Sequence, residues 1–185
     1  DARVQNFVQA RLGEESAACV IMDVQTGDLV AAASAPSFDP NLLSSHDAGD
    51  IQANYEALNA DTNQPLLNRP LAMTLPPGST FKLVTAAAAL ESGNYVAGTE
   101  LPGPTQINLP GTDVQLGNWN GKSCGPGDVT TLQAALEISC NTAFAWLGME
   151  LGADAISDQA QKFGFESEFE VPMTAAISRF PVDPN

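Results

Sequence analysis

The hydrophobic pattern of the chain begins with a short amphipathic helix and a β-hairpin. Apolar residues recur at helical spacing between positions 3 and 12, and Gly13 follows them as a stop signal. Two apolar runs, 18–24 and 29–34, flank a short turn that contains Gly27, which is typical of a hairpin. Both runs are so apolar that we expect the hairpin to be covered on both faces.

Further along the chain, helical segments alternate with loops. We predict helices near residues 49–58 and 66–73. The sharpest break is Pro76-Pro77-Gly78, and the alanine-rich run after it, which ends at Glu91, predicts a buried helix. Seven glycines and four prolines between residues 94 and 128 predict a loop region with short strands.

A second helical block is predicted to start at Thr130, where Thr130 and Gln133 fit a capping box. This block is interrupted near Ser139 and resumes up to the stop signal Gly152, and another helix follows over residues 154–163. The length of 185 residues favours one domain, which is large enough to bury a core.

Charge and composition exclude several functions. The formal net charge of −15 argues against nucleic-acid binding, because a phosphate backbone requires clustered Lys and Arg. The longest apolar stretch, 83–90, is too short to span a membrane. The chain has one histidine, His46 in a polar stretch, and three scattered cysteines, which argues against a zinc site. The sequence implies no metal and no organic cofactor.

Ser79 and Lys82 form the pair that carries the chemistry. Their i, i+3 spacing places both side chains on one face of the predicted helix. A serine hydroxyl is a poor nucleophile until a base removes its proton, and a lysine can be that base if burial lowers its pKa. Free N–H groups at the helix start would favour an oxyanion next to Ser79. S-x-x-K also arises by chance, with the lysine solvated on the surface.

Ser139-Cys140-Asn141 lies at the interruption between two predicted helices. A hydroxyl there can relay a proton, and an amide can bind both a lysine ammonium and a substrate carbonyl. The alternative is an ordinary helix cap, because Ser and Asn are favoured at N-caps. Together with Ser79 and Lys82, the segment matches two motifs of penicillin-recognising serine enzymes.

With these motifs, the sequence resembles the transpeptidase domain of class B penicillin-binding proteins over nearly its whole length and in the family's order. The resemblance implies the α+β class and the N-terminal part of the transpeptidase fold. In that fold, helices pack on an antiparallel sheet, of which only the first two strands are expected here. The segments that carry the resemblance are 18–34, 37–41, 67–70, 76–82 and 139–144.

The subgroup within this family stays open. Residues 41–46 and the pair Cys124 and Cys140 look most like the actinobacterial penicillin-binding protein A type. Residues 18–41 are equally similar to the elongation-type penicillin-binding protein 2.

The resemblance implies a role for each motif residue. Ser79 would be the acylated nucleophile and Lys82 its general base. Ser139 would relay the proton, and Asn141 would hold Lys82 and the peptide amide of the substrate. These four residues are the predicted site.

The family's third motif, Lys-Thr/Ser-Gly, does not occur in the 185 residues. In the family it lies on a strand that binds the terminal carboxylate of the donor and supplies one of two oxyanion N–H groups. We therefore expect residues 1–185 to be an incomplete transpeptidase domain that lacks its C-terminal part. An isolated strand pair is marginal, so something must cover the edges of the hairpin.

The implied function is a peptidoglycan D,D-transpeptidase that cross-links stem peptides through an acyl-Ser79 intermediate and is acylated by β-lactam antibiotics. Family membership also implies a cell-wall synthesis partner such as a glycosyltransferase. The expected location is the extracytoplasmic face of the bacterial cytoplasmic membrane, with an N-terminal anchor that precedes this chain. The alternative is a non-catalytic β-lactam sensor or cell-wall scaffold on the same fold. A β-lactamase is disfavoured, because no deacylating base is correctly placed.

The three cysteines leave one question open. Cys124 and Cys140 are 16 residues apart, and a disulfide between them would suit an extracytoplasmic protein. The spacing alone fits two unrelated reduced thiols nearly as well. Cys19, in the first predicted strand, is interpreted as a small buried hydrophobic residue.

Overall fold

The computed structural model describes residues 1–168 and 171–181, and the contacts between them divide the chain into two units. The first unit contains Asp1–Thr74 and Glu168–Ala176, and the second contains Leu75–Ser167 and Ile177–Asn185. Both units combine helices with antiparallel strand pairs, so the predicted α+β class is confirmed. The assignment of residues 1–185 to one incomplete domain stays a prediction.

The first unit begins with the predicted helix and hairpin. Strands β1 and β2 pair antiparallel, with Cys19 opposite Ala33, and a bulge interrupts the ladder between Ile21 and Met22. The helices and strands of this unit are α1 (Ala2–Leu12), β1 (Ala17–Met22), β2 (Leu29–Ala35), α2 (Ala48–Ala60) and α3 (Arg69–Ala72).

Helix α1 covers the free edge of β2 with glutamine side chains. The Gln5 amide accepts from Ala32 N and donates to Ala32 O, both at 2.9 Å, and Gln9 Nε2 donates to Ser34 O at 3.0 Å. These contacts satisfy backbone groups that would otherwise lie unpaired along the strand edge. The edge cover that the sequence called for is therefore supplied by polar residues of α1.

The hairpin is not covered on both faces within the described residues, which corrects the expectation from its apolar runs. Val20 and Met22 are 48% and 54% exposed, and every second residue of β1 is exposed. A cavity of about 330 Å³ lies over this face, between the hairpin and the segments that contain Pro70 and Ala176. Cys19, which points to the opposite face, is only half-buried and is a free cysteine.

Among its described residues, the second unit has three α-helices and four short strands. Strand β3 pairs with β6 and strand β4 with β5, both antiparallel. The helices and strands are α4 (Lys82–Glu91), β3 (Glu100–Pro102), β4 (Gln106–Asn108), β5 (Gln115–Gly117), β6 (Val129–Thr131), α5 (Leu132–Glu137) and α6 (Asn141–Lys162).

The core of the second unit forms where α4 packs against α6, and the predicted burial of the alanine run is confirmed. Ala86 and Ala89 of α4 are buried, and small side chains there let the two helices approach closely. The remaining members of this buried cluster are Leu101, Leu132, Ala135, Cys140, Ala143, Phe144 and Leu147.

Two predicted helix boundaries need adjustment. The N-cap of α5 is Thr131, whose side chain accepts from Ala134 N at 3.2 Å, so the capping box predicted at Thr130 is wrong. Thr130 instead lies buried in β6, because pairing with β3 takes the residues up to Thr131. The predicted stop at Gly152 appears as a break inside α6, where this glycine has φ +79° and ψ 163°. No helix in residues 1–168 or 171–181 is long and apolar enough to cross a membrane.

Candidate active site

Ser79 and Lys82 come together where a tight turn enters α4. A 3₁₀ turn over Gly78–Phe81 precedes Lys82, the first residue of α4. Residues three apart eclipse one another in a 3₁₀ turn, so the two side chains stand on the same side. Lys82 Nζ lies 3.2 Å from Ser79 Oγ, and Ser79 is exposed. The predicted pairing of these two side chains is therefore present in the structure.

Ser139 occupies a position that usually belongs to glycine. Helix α5 ends in a Schellman motif, in which Cys140 N donates to Ala135 O at 2.8 Å and Ser139 N donates to Leu136 O at 3.1 Å. Ser139 is the left-handed residue of this motif, with φ +57°. Left-handed backbone is unfavourable for residues with a Cβ, and such strain clusters at functional sites.

The strained backbone directs both oxygens of Ser139 toward Lys82. Lys82 Nζ lies 2.7 Å from Ser139 O and 2.9 Å from Ser139 Oγ, and Ser139 Oγ donates to Ser79 Oγ at 3.0 Å. The cap alternative is wrong for Ser139 and Asn141, because the N-cap of α6 is Cys140 and both of these side chains point to Lys82.

The strain at Ser139 leads to a stability prediction. Ser139→Gly and Ser139→Ala both remove the hydroxyl, but only glycine adopts the left-handed conformation without cost. We expect the glycine variant to be more stable than the alanine variant by about 1 kcal/mol. Urea unfolding of both variants measures this difference.

Ser92 provides a matched control, because it lies at the end of α4 with φ −62°. At that position we expect the order to reverse, with glycine less stable than alanine by about 0.5–1 kcal/mol. The same order at both positions would contradict the assignment of strain to Ser139.

Lys82 is the centre of the site and contacts only neutral oxygens. Its Nζ lies within 3.2 Å of four of them, on Ser79, Ser139 (twice) and Asn141. An ammonium has three donors, so the four contacts cannot all be ammonium donor bonds at once. The ion pairs among the described residues are Arg3–Asp1 and Lys162–Glu91, and neither involves Lys82.

Burial lowers the pKa of Lys82 below that of an ordinary lysine, because desolvation disfavours the ammonium. No carboxylate in the described part of the chain forms an ion pair with Lys82, and an adjacent negative charge would raise its pKa again. The Phe144 ring, with its centroid 5.8 Å from Nζ, is the apolar neighbour of the charge. A larger fraction of Lys82 is thus neutral near pH 7 than for a solvated lysine.

Asn141 links Lys82 to the end of strand β5. Its Oδ1 lies 2.7 Å from Lys82 Nζ, and its Nδ2 donates to Gly117 O at 3.0 Å. As the first residue of α6, Asn141 takes its position from the start of that helix. All four predicted site residues therefore meet at one place, and their side chains form one connected network.

Asn118, which lies in the loop region predicted for residues 94–128, was not predicted as a site residue. Asn118 Oδ1 accepts from the backbone N of Asn141 at 3.0 Å and of Thr142 at 3.2 Å. One available signal is the N-cap of α6. Cys140 offers only a sulfur there, which is a weak acceptor, so the start of the helix needs an acceptor from another side chain.

A cavity of about 370 Å³ opens beside Ser139. Its lining includes Asn118, Ile138 and Trp119, and the Trp119 side chain is 83% exposed. The two cysteines Cys124 and Cys140 form part of its wall. The site is thus open to solvent on the side of the loop that follows β5.

A disulfide joins Cys124 to Cys140 in the structure, which is the first of the two alternatives that the spacing left open. The bond ties the loop after β5 to the residue between Ser139 and Asn141. Gly103 packs against it, since a Cβ at this glycine would lie 2.9 Å from Cys124 Cβ. Within residues 1–168 and 171–181, no group of three or more His, Cys, Asp or Glu side chains is placed to hold a metal ion.

Ser79, Lys82, Ser139 and Asn141 thus form one hydrogen-bonded cluster, and comparison with known families gives the class of protein. The penicillin-binding protein transpeptidase domain matches residues 17–176, so the chain belongs to this family. Peptidoglycan D,D-transpeptidase PbpA of Mycolicibacterium smegmatis is 44% identical over 148 residues, which cover 80% of this chain. Peptidoglycan D,D-transpeptidase MrdA of Escherichia coli K12 is 34% identical over 165 residues, which cover 89%.

Solved structures agree with this family. The crystal structure of penicillin-binding protein A from Mycobacterium tuberculosis matches with a TM-score of 0.91 at 36% identity, over 100% of this chain and 44% of that one. The penicillin G acyl-enzyme complex of the same protein gives a TM-score of 0.90, with the same identity and coverage. The predicted family and fold are confirmed. The chain spans 30% of the length of the PbpA relative and 25% of the MrdA relative.

Proposed function

We propose that this chain carries the serine acyl-transfer centre of a peptidoglycan D,D-transpeptidase. The observation that carries the proposal is the contact of one partly buried lysine with the hydroxyls of Ser79 and Ser139 and the amide of Asn141. Support also comes from relatives that bear the name peptidoglycan D,D-transpeptidase. The substrates would be two peptidoglycan stem peptides, one as acyl donor and one as amine acceptor.

In the first half-reaction, neutral Lys82 takes the proton of Ser79 Oγ, which lies 3.2 Å from Nζ. The Oγ attacks the carbonyl of the penultimate D-Ala of the donor stem and forms a tetrahedral intermediate. As this intermediate collapses, the C–N bond to the terminal D-Ala breaks. Ser139 Oγ gives its proton to the leaving amine and receives one from the Lys82 ammonium, 2.9 Å away.

In the second half-reaction, the amine of another stem peptide attacks the acyl-Ser79 ester. Its proton passes through Ser139 to Lys82, which is neutral again after the first release. The ester C–O bond then breaks, and Ser79 Oγ recovers a proton from Lys82. Asn141 keeps Lys82 in place during both steps through its 2.7 Å contact with Nζ. Each proton is returned, so the cycle consumes no external acid or base.

β-Lactams would acylate Ser79 as substrate mimics. Structures of a 36% identical relative as its penicillin G acyl-enzyme support this part of the proposal. We further propose that the chain acts on the extracytoplasmic side of the bacterial membrane beside a cell-wall glycosyltransferase. The disulfide supports this location, because such bonds persist in oxidising compartments.

The test is the intact mass of the chain after incubation with penicillin G, with Ser79→Ala in parallel. We expect one stable adduct of the mass of the penicillin, absent in Ser79→Ala, because only the Ser79 hydroxyl is held beside a base. Circular dichroism of both proteins verifies that they are folded. An adduct that survives in Ser79→Ala would overturn the assignment of the nucleophile.

Turnover separates the enzyme from the alternative functions. A transpeptidase releases D-Ala from a stem-peptide mimic in the presence of an amine acceptor. A β-lactam sensor forms the same adduct without that release, and a scaffold forms no adduct. Rapid loss of the adduct with regeneration of free Ser79 would instead indicate a β-lactamase.

A further inference from the structure

We propose that Asn118 is a positioning residue for this site, which acts by fixing the start of α6 and, through Asn141, the surroundings of Lys82. The inference rests on the proposed function for its effect on acylation. Its effect on Lys82 can be measured without any acylation.

The start of α6 needs acceptors for its first backbone amides. The first N–H groups of a helix have no partner within the helix and need an acceptor. An N-cap side chain usually provides this acceptor, but the N-cap here is Cys140, whose sulfur is committed to a disulfide and lies 3.4 Å from Ala143 N. Asn118 Oδ1 supplies the acceptor for the amides of Asn141 and Thr142.

The hydrogen bonds of Asn118 hold its own side-chain amide in one orientation. Its Nδ2 donates to Lys122 O at 2.8 Å, to Pro104 O at 3.1 Å and to Thr142 Oγ1 at 3.3 Å, while its Oδ1 accepts from the backbone of α6. The carbonyl acceptors of Nδ2 and the backbone donors to Oδ1 fix which way the amide faces. The side chain therefore connects the loop around Lys122 and the backbone at Pro104 to the first turn of α6.

The cap at the start of α6 also holds Asn141, which contacts Lys82. Asn141 is held from two sides, at its backbone N by Asn118 and at its Nδ2 by Gly117 O, 3.0 Å away. Both contacts come from the end of β5 and its next residue. Without Asn118, the first turn of α6 keeps two unpaired N–H groups and attracts water. Asn141 then loses one of its two contacts, and water can solvate Lys82 Nζ in place of Asn141 Oδ1.

The experiment compares Asn118→Ala with Asn118→Asp, and uses Asn108→Ala as the matched control. Aspartate keeps the oxygen that accepts from α6 and adds a favourable negative charge at the helix start. Asn108 is exposed on β4, and its Oδ1 accepts only from Gln115 Nε2 at 3.1 Å among the described bonds. All variants are studied well below their unfolding midpoints, so that global unfolding does not contribute.

Three quantities are measured on the full chain. The first is hydrogen exchange of the Asn141 and Thr142 amides, which we expect to accelerate in Asn118→Ala. The second is the pKa of Lys82 from the NMR shift of its Cε, which we expect to rise toward that of an ordinary lysine. The third is the rate of acylation by penicillin G, which we expect to fall roughly 10- to 100-fold, with its pH profile moved to higher pH.

We expect Asn118→Asp to restore exchange protection at the Asn141 and Thr142 amides, while its added negative charge raises the pKa of Lys82. We expect Asn108→Ala to resemble wild type in all three measurements. If Asn118→Ala leaves both the amide exchange and the Lys82 pKa unchanged, the inference is wrong. Faster exchange with an unchanged Lys82 pKa and acylation profile would reduce Asn118 to a helix cap. If wild type itself is not acylated, the proposed function fails, while the first two measurements still decide the role of Asn118.

Discussion

Lys82→Met should slow acylation of Ser79 by penicillin G by roughly 10²–10⁴-fold, the contribution of a well-placed general base. Methionine matches the length of the lysine side chain but cannot accept the Ser79 proton or contact the oxygens of Ser139 and Asn141. Circular dichroism verifies that the variant is folded. The rate constant comes from the time course of adduct formation by mass spectrometry.

The pH dependence of the acylation rate follows the loss of a proton from the Lys82 ammonium. Because neutral Lys82 is the base, acylation should increase with pH and level off above the pKa of Lys82. Burial lowers that pKa, so the inflection should lie below the ordinary lysine value of about 10.4. Lys82→Met should lose the inflection together with the rate.

The same pKa shift has a consequence for folding. Between the lowered pKa of folded Lys82 and the ordinary value of the unfolded chain, the unfolded state binds more protons. The contribution of Lys82 to the free energy of unfolding therefore increases with pH across that window. Lys162→Met, which removes an exposed lysine paired with Glu91 on the surface, is the control for the loss of one positive charge.

Equal acylation rates for Lys82→Met and wild type would rule out Lys82 as the base.

The second large effect is expected from the disulfide. Replacing Cys124 and Cys140 together by serine should lower the free energy of unfolding by about 3 kcal/mol, because the bond closes a loop of 16 residues in the unfolded chain. Urea unfolding measures this loss. Acylation should also slow, since Cys140 lies between Ser139 and Asn141 and the bond anchors it to the loop after β5.

Reduction provides an internal control for this prediction. A phosphine reductant should destabilise wild type by a similar amount and leave the double serine variant unchanged. Cys19→Ala tests the free cysteine and should behave like wild type, with or without reductant. A double variant as stable as wild type would contradict a role of the disulfide in stability.

Local sequence patterns predicted the helices and strands well where a single signal, such as periodicity or a stop signal, dominates the segment. The helix over residues 3–12, the hairpin and the alanine-rich helix after Pro76-Pro77-Gly78 follow from periodicity and from strong stop signals. The capping box at Thr130 failed because pairing of β6 with β3 takes precedence over a cap one residue earlier. The predicted burial of both hairpin faces was wrong, because the apolar content of a strand does not show which segments pack against it.

In the candidate site, too, some features follow from the local sequence and others only from the packed structure. Sequence by itself identified the four candidate residues, because Ser79, Lys82, Ser139 and Asn141 belong to short motifs whose residue types and spacing are visible along the chain. Only the tertiary structure decided the left-handed backbone of Ser139, the choice of Asn118 as the cap of α6 and the pairing of Cys124 with Cys140. The left-handed Ser139 closes the last turn of α5, where the sequence lacks the usual glycine signal. The cap and the disulfide depend on contacts between residues 16 or more positions apart in sequence. A local pattern carries no information on such contacts, because they form only when the chain packs.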